Sequence, residues 1–348
     1  MAPAWYEPLL DGGYMPIPLL RYGIRRQLQV RLNELAFPDV EKALADKLAF
    51  VASLRERPIA INTEDANKQH YEVSTEFIQM CLGPRMKYSC CLFPTGRESL
   101  AEAEEAMLAS YVEKAQLKPG MSILDLGCGW GSLSLYLAEK LPTCKITSLS
   151  NSKTQKIFID KTAAERGFKN LTVVTGDVKD HEFPDGSFDR VMSVEMFEHM
   201  KNYQFLLAKV SRWLKDEGKL FVHIFCHKTQ PYDYKDGDGW MTDYFFTGGT
   251  MPSNDLFLYF QDDLAIEGHW AVNGKHYAQT CEEWLKLLLK NKRQAEPYLK
   301  QTYGEGEVTR WFNRWIVFYL ACAELFAWGN GNEWFVSHYL FKKKPTAA

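Results

Sequence analysis

One segment, Leu124-Asp125-Leu126-Gly127-Cys128-Gly129-Trp130-Gly131, constrains the fold of this chain more than any other. It lies between an apolar run at 122–126, which reads as a buried strand, and an apolar-periodic stretch at 131–141, which reads as a helix. Glycines at alternate positions of a strand-to-helix turn allow positive φ and close approach of a ligand, and they leave the first helical amides free to donate. The same texture continues downstream. Strands read at 145–149, 171–175, 188–194 and 219–225, and helices at 152–166 and 203–214. Such alternation builds parallel βαβ units, and hence a sheet covered on both faces. The expected fold class is α/β: a Rossmann-like doubly wound sheet, with a helical N-terminal extension and aromatic-rich lid and C-terminal insertions.

The glycine spacing narrows the ligand. A dinucleotide fold carries Gly-x-Gly-x-x-Gly, with a pyrophosphate on the helix N-terminus. Here the pattern is Gly-x-Gly-x-Gly, which resembles the S-adenosyl-L-methionine signature of Rossmann-like methyltransferases. That cofactor has no phosphate, and its ammonium suits an acid such as Asp125. The competing reading is a structural glycine turn. Gly127, Gly129 and Gly131 are therefore candidate cofactor residues beside Asp125. The second strand lacks the acid that usually holds ribose hydroxyls and offers Ser150 and Asn151, then Gln155, whose hydroxyl and amides can donate and accept. Gly176-Asp177-Val178 follows the third strand, and Asp177 either accepts from the adenine amine or caps a turn.

The rest of the 348 residues divides by texture. Residues 1–70 read as a helical extension that ends in a polar loop, and 71–116 as a segment covering the site. Residues 117–227 are the cofactor core; 228–348 form a lid with closing helices and a last strand at 334–341. A formal charge of −3 gives no general attraction to nucleic acid or anionic membranes. With no secretory leader and no apolar run long enough to span a bilayer, a cytoplasmic location is expected. Eight scattered cysteines without a Cys-x-x-Cys pair read as free thiols. His223, Cys226 and His227 lack a fourth ligand, and Asp233, Asp236 and Asp238 lack EF-hand spacing, so no metal is expected.

Several motifs then occur in a telling order: Tyr88-Ser89-Cys90-Cys91, the glycine turn, Glu195-Met196-Phe197-Glu198-His199, Phe221-Val222-His223, Gly248-Gly249 and His276-Tyr277. In this order the chain resembles the cyclopropane-fatty-acid synthase superfamily. The blocks Glu198-His199-Met200-Lys201-Asn202-Tyr203, Cys226-His227-Lys228-Thr229 and Tyr259-Phe260-Gln261-Asp262-Asp263 resemble its branch of plant amine N-methyltransferases, the coclaurine N-methyltransferase-like enzymes. That resemblance implies methylation of a benzylisoquinoline or phenylalkylamine, with S-adenosyl-L-homocysteine (SAH) as co-product and no metal. It implies Glu198 and His199 as the catalytic pair with Glu195 facing them, Ser89 and Val178 at the cofactor, and Tyr71 and Glu72 in the amine pocket. In the lipid-modifying branch, positions matching Cys90, Glu195, His223 and Tyr277 hold a bicarbonate, so a cyclopropane or phospholipid-modifying synthase is the alternative. The partners expected are a small-molecule amine and, at most, a second copy in a homodimer; neither nucleic acid nor membrane is expected.

The residues suit that chemistry. Methyl transfer from a sulfonium requires nucleophile, methyl and sulfur in line at about 3 to 3.5 Å. An alkylamine with a lysine-like pKa of about 10.4 arrives protonated and has no lone pair to offer. A carboxylate that attracts the cation and an imidazole that takes its proton answer both needs. Glu195 and Glu198 lie three apart after the fourth strand, where ligands bind in such sheets. A solvated glutamate and a capping histidine are the plainer reading of the same residues. The aromatic content of 14% suggests an apolar cavity or, equally, a thick aromatic core; Phe257, Tyr259 and Trp328 are proposed to enclose the amine, with Trp240, Tyr244, Phe245, Phe260 and Trp334 as further candidates, more than half of these rings being expected in the core.

Overall fold

The computed structural model describes residues 5–61, 74–235 and 239–344. Its centre is a seven-stranded sheet in the order β3-β2-β1-β4-β5-β9-β8. The strands are β1 (Ser122–Leu126), β2 (Lys145–Ser150), β3 (Leu171–Thr175), β4 (Phe188–Val194), β5 (Leu214–His227), β8 (Leu264–Val272) and β9 (Trp334–Lys343). Five are parallel; β9 runs antiparallel to β5, and β8 antiparallel to β9. The chain reverses its direction of winding between β1 and β4, so the crevice beyond their carboxyl ends is where a ligand is expected.

Alternation along the strands splits the core in two. Ile123, Met192, Phe221 and Leu340 face a layer built with the Leu100–Lys114, Gly274–Lys290 and Val308–Gly331 helices. Leu124, Val191, Leu220 and Val222 face the other way, onto the Val40–Arg55 and Tyr203–Trp213 helices. The longest elements not read from the sequence are an edge strand and a helix. Strand β8 is an edge strand with mostly half-exposed positions and a register shift near Gly268, so it shows no clean two-residue period. The Lys292–Tyr303 helix contains Pro297, which reads as a breaker. Strand β5 also extends past 225, because Cys226 and His227 pair with Phe335 and Trp334.

The N-terminal helices are tied to the Val308–Gly331 helix and to the segment before the Tyr203–Trp213 helix. Arg21 and Arg25 both reach Glu324, at 2.7 and 2.5 Å. Asn202 donates to the carbonyls of Arg55 and Arg57 at 2.8 Å each, and Ala60 bridges to Met200. The stretch after β5 forms a two-stranded hairpin of β6 (Tyr232–Asp233) and β7 (Thr250–Met251). Asp233 takes a 2.7 Å ion pair from each of Arg57 and Lys201, which pins this hairpin against the N-terminal segment. No helix among the described residues is long and apolar enough to cross a membrane.

Candidate active site

The glycine turn closes β1 with left-handed backbone at all three glycines: φ is +82° at Gly127, +52° at Gly129 and +77° at Gly131. They are glycine for different reasons. A Cβ on Gly127 would stand 2.5 Å from Met196 Cγ, and one on Gly131 would stand 2.6 Å from Ile159 Cγ1. A Cβ on Gly129 would meet no protein atom within 4 Å. Its backbone lines two adjoining cavities instead.

The first cavity gathers Ser150, Asn151, Gln155, Asp177 and Val178 with Glu195, His199 and Gly248. The second gathers Asp125, Ser89, Lys87, Tyr111 and Trp130, again with Glu195. Gly127 and Gly129 form the common wall. Three buried donors at these walls have no hydrogen-bond partner among the described residues: Gln155 Nε2, whose Oε1 takes the Ser150 hydroxyl at 2.7 Å, Trp130 Nε1 and Ser132 Oγ. Buried donors are normally satisfied, so they point to a ligand with acceptors. Asp125 is buried with one oxygen on the Ser134 hydroxyl, and burial pushes its carboxyl up to about 6. An ammonium beside it would restore the charged form. These groups fit S-adenosylmethionine: amides and hydroxyls for the ribose and adenine, and a carboxylate for the amino acid end. Asp177 also caps its own turn, accepting from the Lys179 N–H at 3.0 Å.

Glu195 follows β4 and is one of the few non-glycine residues with positive φ, +49°. A glutamate is held there only where surrounding contacts over-determine it. The contacts are explicit. Its Oε1 accepts from the Cys90 N–H at 2.9 Å and lies 3.0 Å from His223 Nε2, and its Oε2 accepts from the Tyr277 hydroxyl at 2.5 Å. Burial raises its pKa, against the opposing pull of Lys87 and these donors.

Glu198 and His199 lie in the short 3-10 helix Phe197–His199. Glu198 is fully buried; one oxygen accepts from the Phe225 N–H at 2.9 Å, and the other has no hydrogen-bond partner among the described residues. Burial, followed by the charge of Glu195, pushes its carboxyl well up. Burial and Lys201 bring His199 down to about 4, so its imidazole is neutral at ordinary pH. Glu195 and His199 thus line the first cavity, whereas Glu198 is buried and lines neither.

The comparisons with known proteins fit this geometry. The family described as mycolic acid cyclopropane synthetase matches residues 60–334. An (S)-coclaurine N-methyltransferase of Thalictrum flavum subsp. glaucum is 42% identical over 341 residues, covering 96% of this chain and 94% of that protein. The chain belongs to the mycolic acid cyclopropane synthetase family. Pavine N-methyltransferase of the same plant is 37% identical, with 93% of this chain and 92% of that protein covered. A crystal structure of coclaurine N-methyltransferase bound to N-methylheliamine and SAH matches with a TM-score of 0.94 at 41% identity, over 97% of this chain and 98% of that one. This family member is an S-adenosylmethionine-dependent N-methyltransferase.

Within this methyltransferase the aromatic residues chosen from the sequence need correction. Phe257 is 1% exposed and packs edge-on to Phe197, Tyr203, Tyr339 and Phe341 in the second core layer. Tyr259 packs against that same layer, and its carbonyl accepts from Arg55. Trp328 lies at the kink near the end of the Val308–Gly331 helix and packs on the first layer. None of the three lines either cavity. Phe245, Phe260 and Trp334 are core as well. The rings near His199 and Glu195 are others: Phe246 lies 5.1 Å from His199, Phe225 packs on Phe246, and Phe326 stacks at 4.2 Å on Tyr277, the partner of Glu195. Composition cannot separate a core ring from a cavity ring, since both are apolar and periodic. Tyr71 and Glu72, and with them Asp236 and Asp238, lie outside the described residues. Lys87, Tyr111 and Thr247 were missed; only the Gly248-Gly249 motif beside Thr247 hinted at that wall.

Proposed function

We propose that the protein methylates the nitrogen of an alkaloid amine of the benzylisoquinoline or phenylalkylamine class. The observation that carries this reading is Glu195 at the junction of the two cavities, with His199 on the wall of the first and Glu198 buried close behind. Bound S-adenosylmethionine supplies an electrophilic methyl on its sulfonium. The protein's own residues hold the amine and remove its proton. Two carboxyls whose pKa is raised by burial regain their charged form beside an incoming ammonium, and so they select a cation. His199, neutral and facing the Phe246 ring, takes up the ammonium proton as general base. The nitrogen lone pair is then free. Ile61, Met196, Met200 and Thr247 wall the same cavity and limit access of water.

The second reading, a lipid cyclopropane synthase, is favoured by the intact Cys90, Glu195, His223 and Tyr277. Here, however, the Glu195 carboxylate itself accepts from the Cys90 N–H and the Tyr277 hydroxyl and lies against His223 Nε2. A labelled-methyl assay over a panel of amines and phospholipids separates the two readings. Methyl incorporation into one or more benzylisoquinolines or phenylalkylamines is expected. Incorporation into phospholipid acyl chains alone would overturn the proposal.

A further inference from the structure

A buried chain of hydrogen bonds leaves the active site on the side away from the substrate. Glu195 Oε1 lies 3.0 Å from His223 Nε2. His223 Nδ1 lies 2.9 Å from His338 Nε2, and His338 Nδ1 lies 2.7 Å from Lys114 Nζ. The two histidines are cross-strand partners of the β5–β9 pair, and both are 0% exposed. Lys114 is the last residue of the Leu100–Lys114 helix.

The two ends of this chain are one-way groups. An ammonium has three donors and no acceptor; an ionised carboxylate only accepts. Lys114 can therefore meet His338 Nδ1 only if that nitrogen is bare. The proton of a neutral His338 then sits on Nε2 and is donated to His223 Nδ1, and the proton of His223 sits on Nε2 and is donated to Glu195. Every link runs in the same direction, toward the carboxylate. We propose that Lys114 and His338 are positioning residues that impose the Nε2–H tautomer on His223 and so keep a hydrogen-bond donor on the catalytic-site Glu195. This rests on the reading of Glu195 as part of the amine-methylating site, but the tautomers themselves do not depend on which substrate is used.

The surroundings are consistent with neutral imidazoles. The groups facing His338 are His223 and Lys114, with Lys87 beyond; burial first, then these neighbours, lower its pKa well below the ordinary range. His223 is lowered in the same way by burial, Lys87 and Lys114. The Tyr111 hydroxyl lies 2.9 Å from His223 Nδ1 and can donate to the same bare nitrogen. Lys114 faces Glu113 and the Trp270 ring, at 5.7 Å from its centroid. Glu195 faces Cys90, Tyr277, Lys87, Glu198 and His199 besides His223. Without the ammonium, His338 can turn its Nδ1–H outward and offer a bare Nε2. His223 is then free to donate from Nδ1 and to present a bare Nε2 to Glu195, where two acceptors would meet unless the carboxyl takes a proton.

The test is long-range ¹H–¹⁵N correlation spectroscopy of the full-length protein labelled at histidine, for wild type, Lys114→Met and Lys114→Arg, with kcat/KM measured against pH for the same three. In the wild type, both His223 and His338 are expected as Nε2–H tautomers. Lys114→Met should move His338 to Nδ1–H and shift the acid limb of kcat/KM up by about one pH unit, a tenfold loss on that limb. Lys114→Arg, which keeps a donor-only cation, should restore both. A wild-type His338 protonated on Nδ1 would overturn the proposal even if no variant folds. So would a Lys114→Met profile that superimposes on the wild type. Failure of every amine in the panel would sink the substrate reading while leaving the tautomer result intact.

Discussion

Tyr277 donates its hydroxyl to Glu195 at 2.5 Å from a helix 82 residues further along the chain. Its ring is stacked on Phe326, which holds the hydroxyl in place. The bond favours the charged carboxylate, and burial opposes it. Tyr277→Phe removes one donor and keeps the ring. A hydrogen bond to a charged group contributes roughly 1.5–3 kcal/mol, about one to two pKa units. The already raised pKa of Glu195 should climb by that amount, so the acid limb of kcat/KM should move to higher pH. An unmoved limb would mean that Glu195 does not need to be ionised.

Removal of His199 should matter most where the amine is protonated. His199→Ala is expected to lose about 10²-fold in kcat/KM near neutrality, within the usual range for a general base. The deficit should shrink as pH approaches about 9 to 10, where a lysine-like amine begins to lose its own proton. The low pKa of His199, about 4, places no histidine titration between these limits. Glu198→Ala should raise KM as well, because the carboxylate also attracts the cation. A His199→Ala deficit that is constant from pH 7 to 10 would assign the histidine to positioning alone.

Cofactor affinity should depend on Asp125. Its carboxyl is held up at about 6 in the buried site. Above that pH it is ionised and can pair with the cofactor ammonium; below it, the proton must be displaced first. Calorimetric affinity for S-adenosylmethionine should therefore fall as pH drops through about 6. Asp125→Asn should bind more weakly at pH 8 and show a flat profile between pH 5 and 8. A variant that retained the wild-type slope would move the titration to another group.

Two phenylalanines should separate packing from selectivity. Phe257 is surrounded by rings of the second core layer, so Phe257→Ala should cost about 3–5 kcal/mol of stability and leave the ranking of amines unchanged. Phe246 borders His199, and Phe246→Ala should alter the ranking with a smaller loss of stability. Denaturant unfolding and a competition assay over the amine panel read the two effects separately. The opposite pairing, with Phe257→Ala changing the ranking, would return that ring to the substrate pocket.

Local rules carried the sequence a long way. Buried parallel strands are short apolar runs, and a ligand-binding turn with three left-handed positions calls for glycine, so β1 to β4 and Gly127, Gly129 and Gly131 were legible as strings of residues. Glu195, Glu198 and His199 were legible because they follow β4 within five residues. Asp125, Ser150, Gln155 and Asp177 were legible because each ends a strand or opens the helix after it. What the sequence could not determine is which residues meet across long separations. His338 became opposite His223 only through the β5–β9 register, and Lys114 reaches His338 only because its helix packs on that sheet face. The same holds for rings. Phe257 and Phe246 are both phenylalanines of the aromatic-rich C-terminal third, and only the assembled fold places one in a core layer and the other beside His199. Burial, pairing register and the direction of a hydrogen-bond chain are properties of the assembled sheet, and the tertiary structure alone decided them.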